Sequence, residues 1–186
     1  MNKKKVLVLL ATLVISTALA ACGNSDSGYT TGDNSKDGRS QVLQGELQSI
    51  PDFSAKDIEG NKVDNSIFKE NKVTLVNVWA TWCGPCVNEL PEIQQVYSEL
   101  KDQGIGVVGI VADGNNAKDT AKELIELENL KYKMIIPDAN LENNLISTLR
   151  GFPTSYVVDS EGKILGMKLG GMNAEGFKAF IEQYAK

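Results

Sequence analysis

Histidine is absent from the 186 residues of this chain, and cysteine occurs only three times. Without an imidazole the chain can build neither a Cys–His nor a Ser–His catalytic pair. A closed zinc site needs four ligands, so no metal is expected. A Gly-rich nucleotide fingerprint and a flavin site are missing as well, and no cofactor is expected. Positive charge is scarce. Loss of residues 1–21 would remove three lysines and leave 16 Lys and Arg against 24 Asp and Glu, a net charge of −8. That balance argues against nucleic acid and against an electrostatic hold on anionic lipid.

The front of the chain carries an address. Lys3-Lys4-Lys5 precede an apolar run from Val6 to Ala21, too short and wrongly flanked for a spanning helix. It ends in Leu19-Ala20-Ala21-Cys22, which resembles the lipobox of bacterial lipoproteins, where cleavage precedes a cysteine that becomes lipidated. An ordinary signal peptide with an incidental cysteine is the alternative. Residues 22–48 are rich in Gly, Ser, Asn, Asp and Thr and read as a flexible tether with a reach of roughly 25–30 Å. Acyl chains on Cys22 would then hold a folded domain, 49–186, at the outer face of a bacterial cell membrane.

Trp82-Cys83-Gly84-Pro85-Cys86 carries the chemistry. Thiol–disulfide exchange needs one sulfur that attacks and a second that resolves the mixed disulfide. Two cysteines at this spacing on the start of a helix supply both. The first meets unpaired N–H groups and the positive end of the helix dipole, which favour thiolate. Apolar residues at Leu90, Ile93, Tyr97 and Leu100 have helical spacing. Four residues back from Leu90 is Cys86, which therefore belongs to the buried stripe. Cys83 precedes the helix and is expected to stay accessible, so Cys83 is the candidate nucleophile and Cys86 the resolver. Pro91 should kink this helix. With Cys22 assigned to lipid, no cysteine remains for a structural disulfide.

Around this motif the pattern alternates. Residues 51–55 and 57–63 read as two short strands about a Gly-containing turn, 65–69 as one helical turn, and Val73–Trp79 as a strand buried on both faces. Gly106–Ala112 reads as a second buried strand, 117–129 as a helix, 134–136 as a strand and 141–149 as a helix. Thr154–Val158 and Lys163–Leu169 form a hairpin about Asp159-Ser160-Glu161-Gly162, and Phe177, Phe180, Ile181 and Tyr184 mark a last helix. The expected fold is α/β, a central mixed sheet flanked by helices.

Four segments together resemble the thioredoxin superfamily, in its membrane-anchored TlpA/ResA-like branch: Val76–Cys86, Glu89-Leu90-Pro91, Gly151-Phe152-Pro153-Thr154, and Ser155–Asp159 with Gly162-Lys163. The resemblance spans about residues 48–186. It implies a thioredoxin-like fold with an N-terminal β-hairpin and an insertion, about 113–137, between the central strands. It implies a cis peptide at Pro153 beside the dithiol, where an extended client can pair with the backbone, and contacts from Trp82, Gly84, Pro85, Phe152 and Thr154. Glu89 matches an acid near the family's active site that tunes the thiols or moves a proton; the alternative is a solvated glutamate. Asn77 stands where cytoplasmic thioredoxins have a buried aspartate, and an amide cannot take a proton from Cys86. Trp79 reads as core.

The resemblance implies a monomeric protein-disulfide reductase acting on disulfide-containing client proteins and recharged by a membrane-embedded thiol electron transporter. A thiol oxidase is the alternative, and Gly84-Pro85 between the cysteines favours the reductase. A peroxiredoxin-like peroxidase would place Pro seven and Thr three residues before its reactive cysteine. Here those positions hold Val76 and Ala80 before Cys83, or Trp79 and Cys83 before Cys86. A substrate-binding lipoprotein would be longer and would not need a dithiol.

Overall fold

The computed structural model describes residues 47–185. The expected leader, Cys22 and the expected tether up to residue 46 lie outside the described residues.

The chain enters along the last hairpin, where Ser49 bridges Lys163 and the Ile50 N–H donates to the Gly162 carbonyl at 2.9 Å. The strands β1 (Ser54–Asp57) and β2 (Lys62–Asp64) then form an antiparallel pair. Their turn follows from Asp57, whose Oδ1 accepts from the N–H groups of Glu59 and Asn61, and from Gly60 at φ +95°. Side-chain capping of a backbone turn is what Asp does well, and positive φ suits Gly. The same device recurs at Asp159 and Gly162, between β6 (Thr154–Asp159) and β7 (Ile164–Leu169).

Seven strands form one sheet in the order β2-β1-β5-β4-β3-β6-β7 among the described residues. Here β3 is Val73–Trp79, β4 Ile105–Val111 and β5 Lys133–Ile136. The central strands β3 and β4 run parallel, while β6 joins β3 antiparallel. Both central strands are buried at every position, which is why they read as unbroken apolar runs. Residues 73, 75 and 79 of β3 share one core with α1 (Gly84–Leu100), Ala121 of α2 (Gly114–Leu127) and α4 (Ala174–Glu182). Val76 and Val78 face a second core with Phe53, Phe68 and Leu141 of α3 (Ala139–Asn144). No helix among the described residues is long and apolar enough to cross a membrane.

Two helix expectations shift. The helix expected from residue 117 starts at Gly114 and breaks at Ala117 (φ −126°, ψ 31°). The first turn is closed by Asn116 and Ala117 N–H groups on the Asp113 carbonyl; Asn115 and Asn116 are weak helix formers and hide it. The helix expected at 141–149 starts at Ala139 because Asp138 caps it, accepting from Leu141 N–H at 2.9 Å, and only a 3-10 turn follows at Ile146–Thr148. Pro91 lies inside α1, as expected.

Candidate active site

The dithiol lies where β3 hands over to α1. Thr81 anchors the approach: its N–H and hydroxyl donate to the Asp113 carboxylate at 3.1 and 2.6 Å. Cys83 is the N-cap of α1, and its sulfur accepts from the Cys86 N–H at 3.3 Å. Pro85 occupies the first turn, where its missing N–H costs nothing. Cys83 and Cys86 are joined by a disulfide, with Cα atoms 5.2 Å apart.

Cys86 is fully buried, as its place in the apolar stripe predicts. Cys83 is not the open residue expected from the sequence, since only 6% of it is exposed. Its sulfur is tied to a buried partner and to a backbone N–H, and both draw it inward. Exposure falls instead on Trp82, which is 70% accessible and meets the Phe152 ring edge-on at 5.7 Å between centroids. Gly84 is open, with nothing within 4 Å of where a Cβ would stand.

The Phe152–Pro153 peptide is cis. Val78 of β3 lies opposite Thr154, so the start of β6 adjoins the end of β3, from which the dithiol loop leaves. The Pro153 carbonyl accepts from Gly170 N–H at 2.9 Å. Thr154 is buried and spends its hydroxyl on the Gly151 carbonyl at 2.8 Å, so any client contact there is through its backbone.

Glu89, one turn beyond Cys86, is not a solvated glutamate. It is 3% exposed. Oε1 accepts from Asn77 Nδ2 at 2.7 Å and Oε2 from Met172 N–H at 3.2 Å. Burial pushes its carboxyl up to about 7, against the smaller opposing pull of those two donors. A group near neutrality in both states of charge suits proton transfer at neutral pH. It borders a hollow of about 390 Å³ whose walls include Pro85, Glu92 and Met172. Tyr132, buried with an unpartnered hydroxyl, is held protonated by burial and by the nearby Glu89 charge. Trp79 is fully buried, as expected.

The roles of Asp113, Ser155, Met172 and Glu92 escaped the sequence reading, which met Ser155 only within a family-like segment. Ser155 accepts from Asn77 Nδ2 at 2.9 Å, and Glu92 Oε2 accepts from Ala174 N–H at 2.8 Å. All four contacts are made across at least 32 residues of chain, beyond any local pattern. Among the described residues no cluster of three or more His, Cys, Asp or Glu could hold a metal ion.

Residues 47–167 match the AhpC/TSA family. The thiol-disulfide oxidoreductase ResA of Halalkalibacterium halodurans is 30% identical over 171 residues, 91% of this chain and 88% of that protein. A thiol:disulfide interchange protein from a Bacteroides species has a similar structure, with a TM-score of 0.63, 26% identity, and 75% of this chain and 90% of that one covered. A second, from Chlorobium tepidum, shares the fold at a TM-score of 0.64 and 23% identity, covering 76% and 98%. A dithiol poised at a helix N-terminus on this sheet is thus met by relatives of the same chemistry, and the chain belongs to the AhpC/TSA thioredoxin-like family as a thiol-disulfide oxidoreductase.

Proposed function

We propose that this oxidoreductase runs as a reductase of disulfide-containing client proteins, held by an acylated Cys22 at the extracytoplasmic face of the cell membrane. The Cys83 thiolate attacks one sulfur of a client disulfide and expels the other as a client thiolate. The Cys86 thiol then loses its proton, attacks the Cys83 sulfur and releases the second client thiolate. Two electrons pass to the client, and the Cys83–Cys86 disulfide remains. Glu89 takes the Cys86 proton, and Trp82, Phe152 and the Pro153 backbone receive the client. A membrane-embedded thiol electron transporter restores the dithiol.

The observation that carries the exchange chemistry of this reading is the N-cap position of Cys83. Its sulfur already accepts the Cys86 N–H, so on reduction a thiolate inherits that donor and the helix dipole. Gly84-Pro85 between the cysteines favours the reducing direction. The test is the reduction potential of the pair in the full-length protein, equilibrated against thiol buffers and scored by alkylation. A value near about −270 mV, as in thioredoxin, or lower supports a reductase; one towards about −120 mV makes the protein a disulfide donor and overturns the direction.

A further inference from the structure

Ser155 on β6 stands opposite Asn77 on β3. Its hydroxyl oxygen and Glu89 Oε1 accept from the same nitrogen, Asn77 Nδ2, at 2.9 and 2.7 Å. An amide nitrogen carries two hydrogens, so both are committed. Turning the amide over would forfeit the bond to Glu89 and set Oδ1 against the carboxylate. Oδ1 has no partner of its own, so nothing else dictates the present orientation. Asn77 is fully buried and Ser155 is 1% exposed, and a donor kept in such a place without a bond would be costly.

The two oxygens of Glu89 therefore differ. Oε1 is occupied by a short bond from the sheet. Oε2 has the longer bond from Met172 and lies 3.3 Å from where a Gly171 Cβ would stand, on the side where Gly171 and Met172 border the hollow. We propose that Ser155 and Asn77 are positioning residues that lock the Glu89 carboxyl so that it takes and returns the proton of the Cys86 thiol at Oε2, the oxygen on the hollow side. The proposal rests on the role given to Glu89 above. The proton balance is that of the resolving step: Cys86 S–H breaks, the Cys83–Cys86 bond forms, the client thiolate leaves, and the proton passes from Oε2 to the hollow.

Other titratable groups around Glu89 are few. On α1 they are Cys86 and Glu92, the latter bonded to Ala174 N–H; ahead of β5 there is Tyr132, protonated. From β3, β6 and the 170–173 loop come only the neutral groups of Asn77, Ser155 and Met172. No Lys or Arg among the described residues forms an ion pair with it. Its proton affinity is thus set by burial against two donors, of which Ser155 helps to aim the Asn77 amide.

The test is the pH profile, from 5.5 to 9, of reduction of a peptide with one internal disulfide, with dithiothreitol as electron donor to the full-length protein. Glu89→Gln identifies the inflection that belongs to Glu89. Asn77→Leu should move that inflection up by about one to two pH units, a ten- to hundredfold rise in proton affinity. Ser155→Ala should move it up by less, and Ser155→Thr should return it. If Asn77→Leu does not fold, the Ser155 pair decides alone. An inflection that stays in place in Ser155→Ala overturns the positioning role and leaves Glu89 its function. A profile that Glu89→Gln does not change removes the Glu89 reading, and the proposal with it.

Discussion

A chain without histidine has little that titrates between pH 5 and 8, so a single buried carboxyl should control its stability there. That carboxyl is Glu89, raised from 4.5 to about 7. Below pH 4.5 it is protonated in both the folded and unfolded chain, and folding buries no charge. Between 4.5 and 7 the unfolded chain has released the proton and the folded one keeps it. Stability therefore falls as pH rises, by about 1.4 kcal/mol per unit, reaching about 3 kcal/mol by pH 8. Glu89→Gln abolishes this slope. The amide sets an N–H against a donor, Met172 N–H or Asn77 Nδ2, and lowers stability by about 1 kcal/mol at every pH, which cancels in the comparison. Urea unfolding of the oxidised protein at pH 5 and pH 8 measures the effect. The wild type should lose about 2.5 kcal/mol more than the variant between the two. Equal losses would mean that Glu89 is not held protonated by burial, and its role in proton transfer would fall too.

Cys86→Ser should trap client proteins as mixed disulfides on Cys83, visible as adducts that dithiothreitol releases, whereas Cys83→Ser should trap none. Trp82→Ala removes an exposed side chain with one ring contact; thermal melts should show a loss of no more than about 1 kcal/mol, while reduction of protein clients slows and that of a small disulfide does not. Asp113→Ala frees the N–H and hydroxyl of Thr81 ahead of the dithiol; denaturant unfolding should show a loss of about 2 kcal/mol, with slower client turnover. Asp57 is pushed up by burial but pulled further down, to about 2, by Asn61 and Lys133; acid should cost the wild type stability as pH falls from about 4 to 2, a limb that acid titration should find missing in Asp57→Asn.

The fold was legible wherever structure is local. Val73–Trp79 is a strand with the bounds its apolar run predicts, because β3 is buried on both faces and its composition has no alternative. Both hairpin turns could be read because an Asp capping its own turn and a Gly three residues later are neighbours in sequence. The helices at 114–127 and 139–144 shifted because their starts depend on caps, Asp113 and Asp138, that lie outside the apolar spacing.

The site divides along the same line. Cys83, Cys86 and Glu89 share one helix end; the cysteines declared themselves by spacing, and Glu89 was marked by the family resemblance. What decides the state of Glu89 does not: the amide comes from β3, the hydroxyl that locks the amide from β6, 78 residues further on, and the second donor from the loop after β7, 83 residues from Glu89. These groups meet only because β6 pairs with β3 in a register that sets Ser155 opposite Asn77. A shift of that register by one residue would turn Ser155 to the other face of the sheet and leave Asn77 with one acceptor. Asn77 alone reads as the loss of a thioredoxin's acid; beside Ser155 and Glu89 it is the donor that holds the acid in its new place. On the proposed mechanism the proton-transfer group stands on the helix rather than the strand, and the strand supports it.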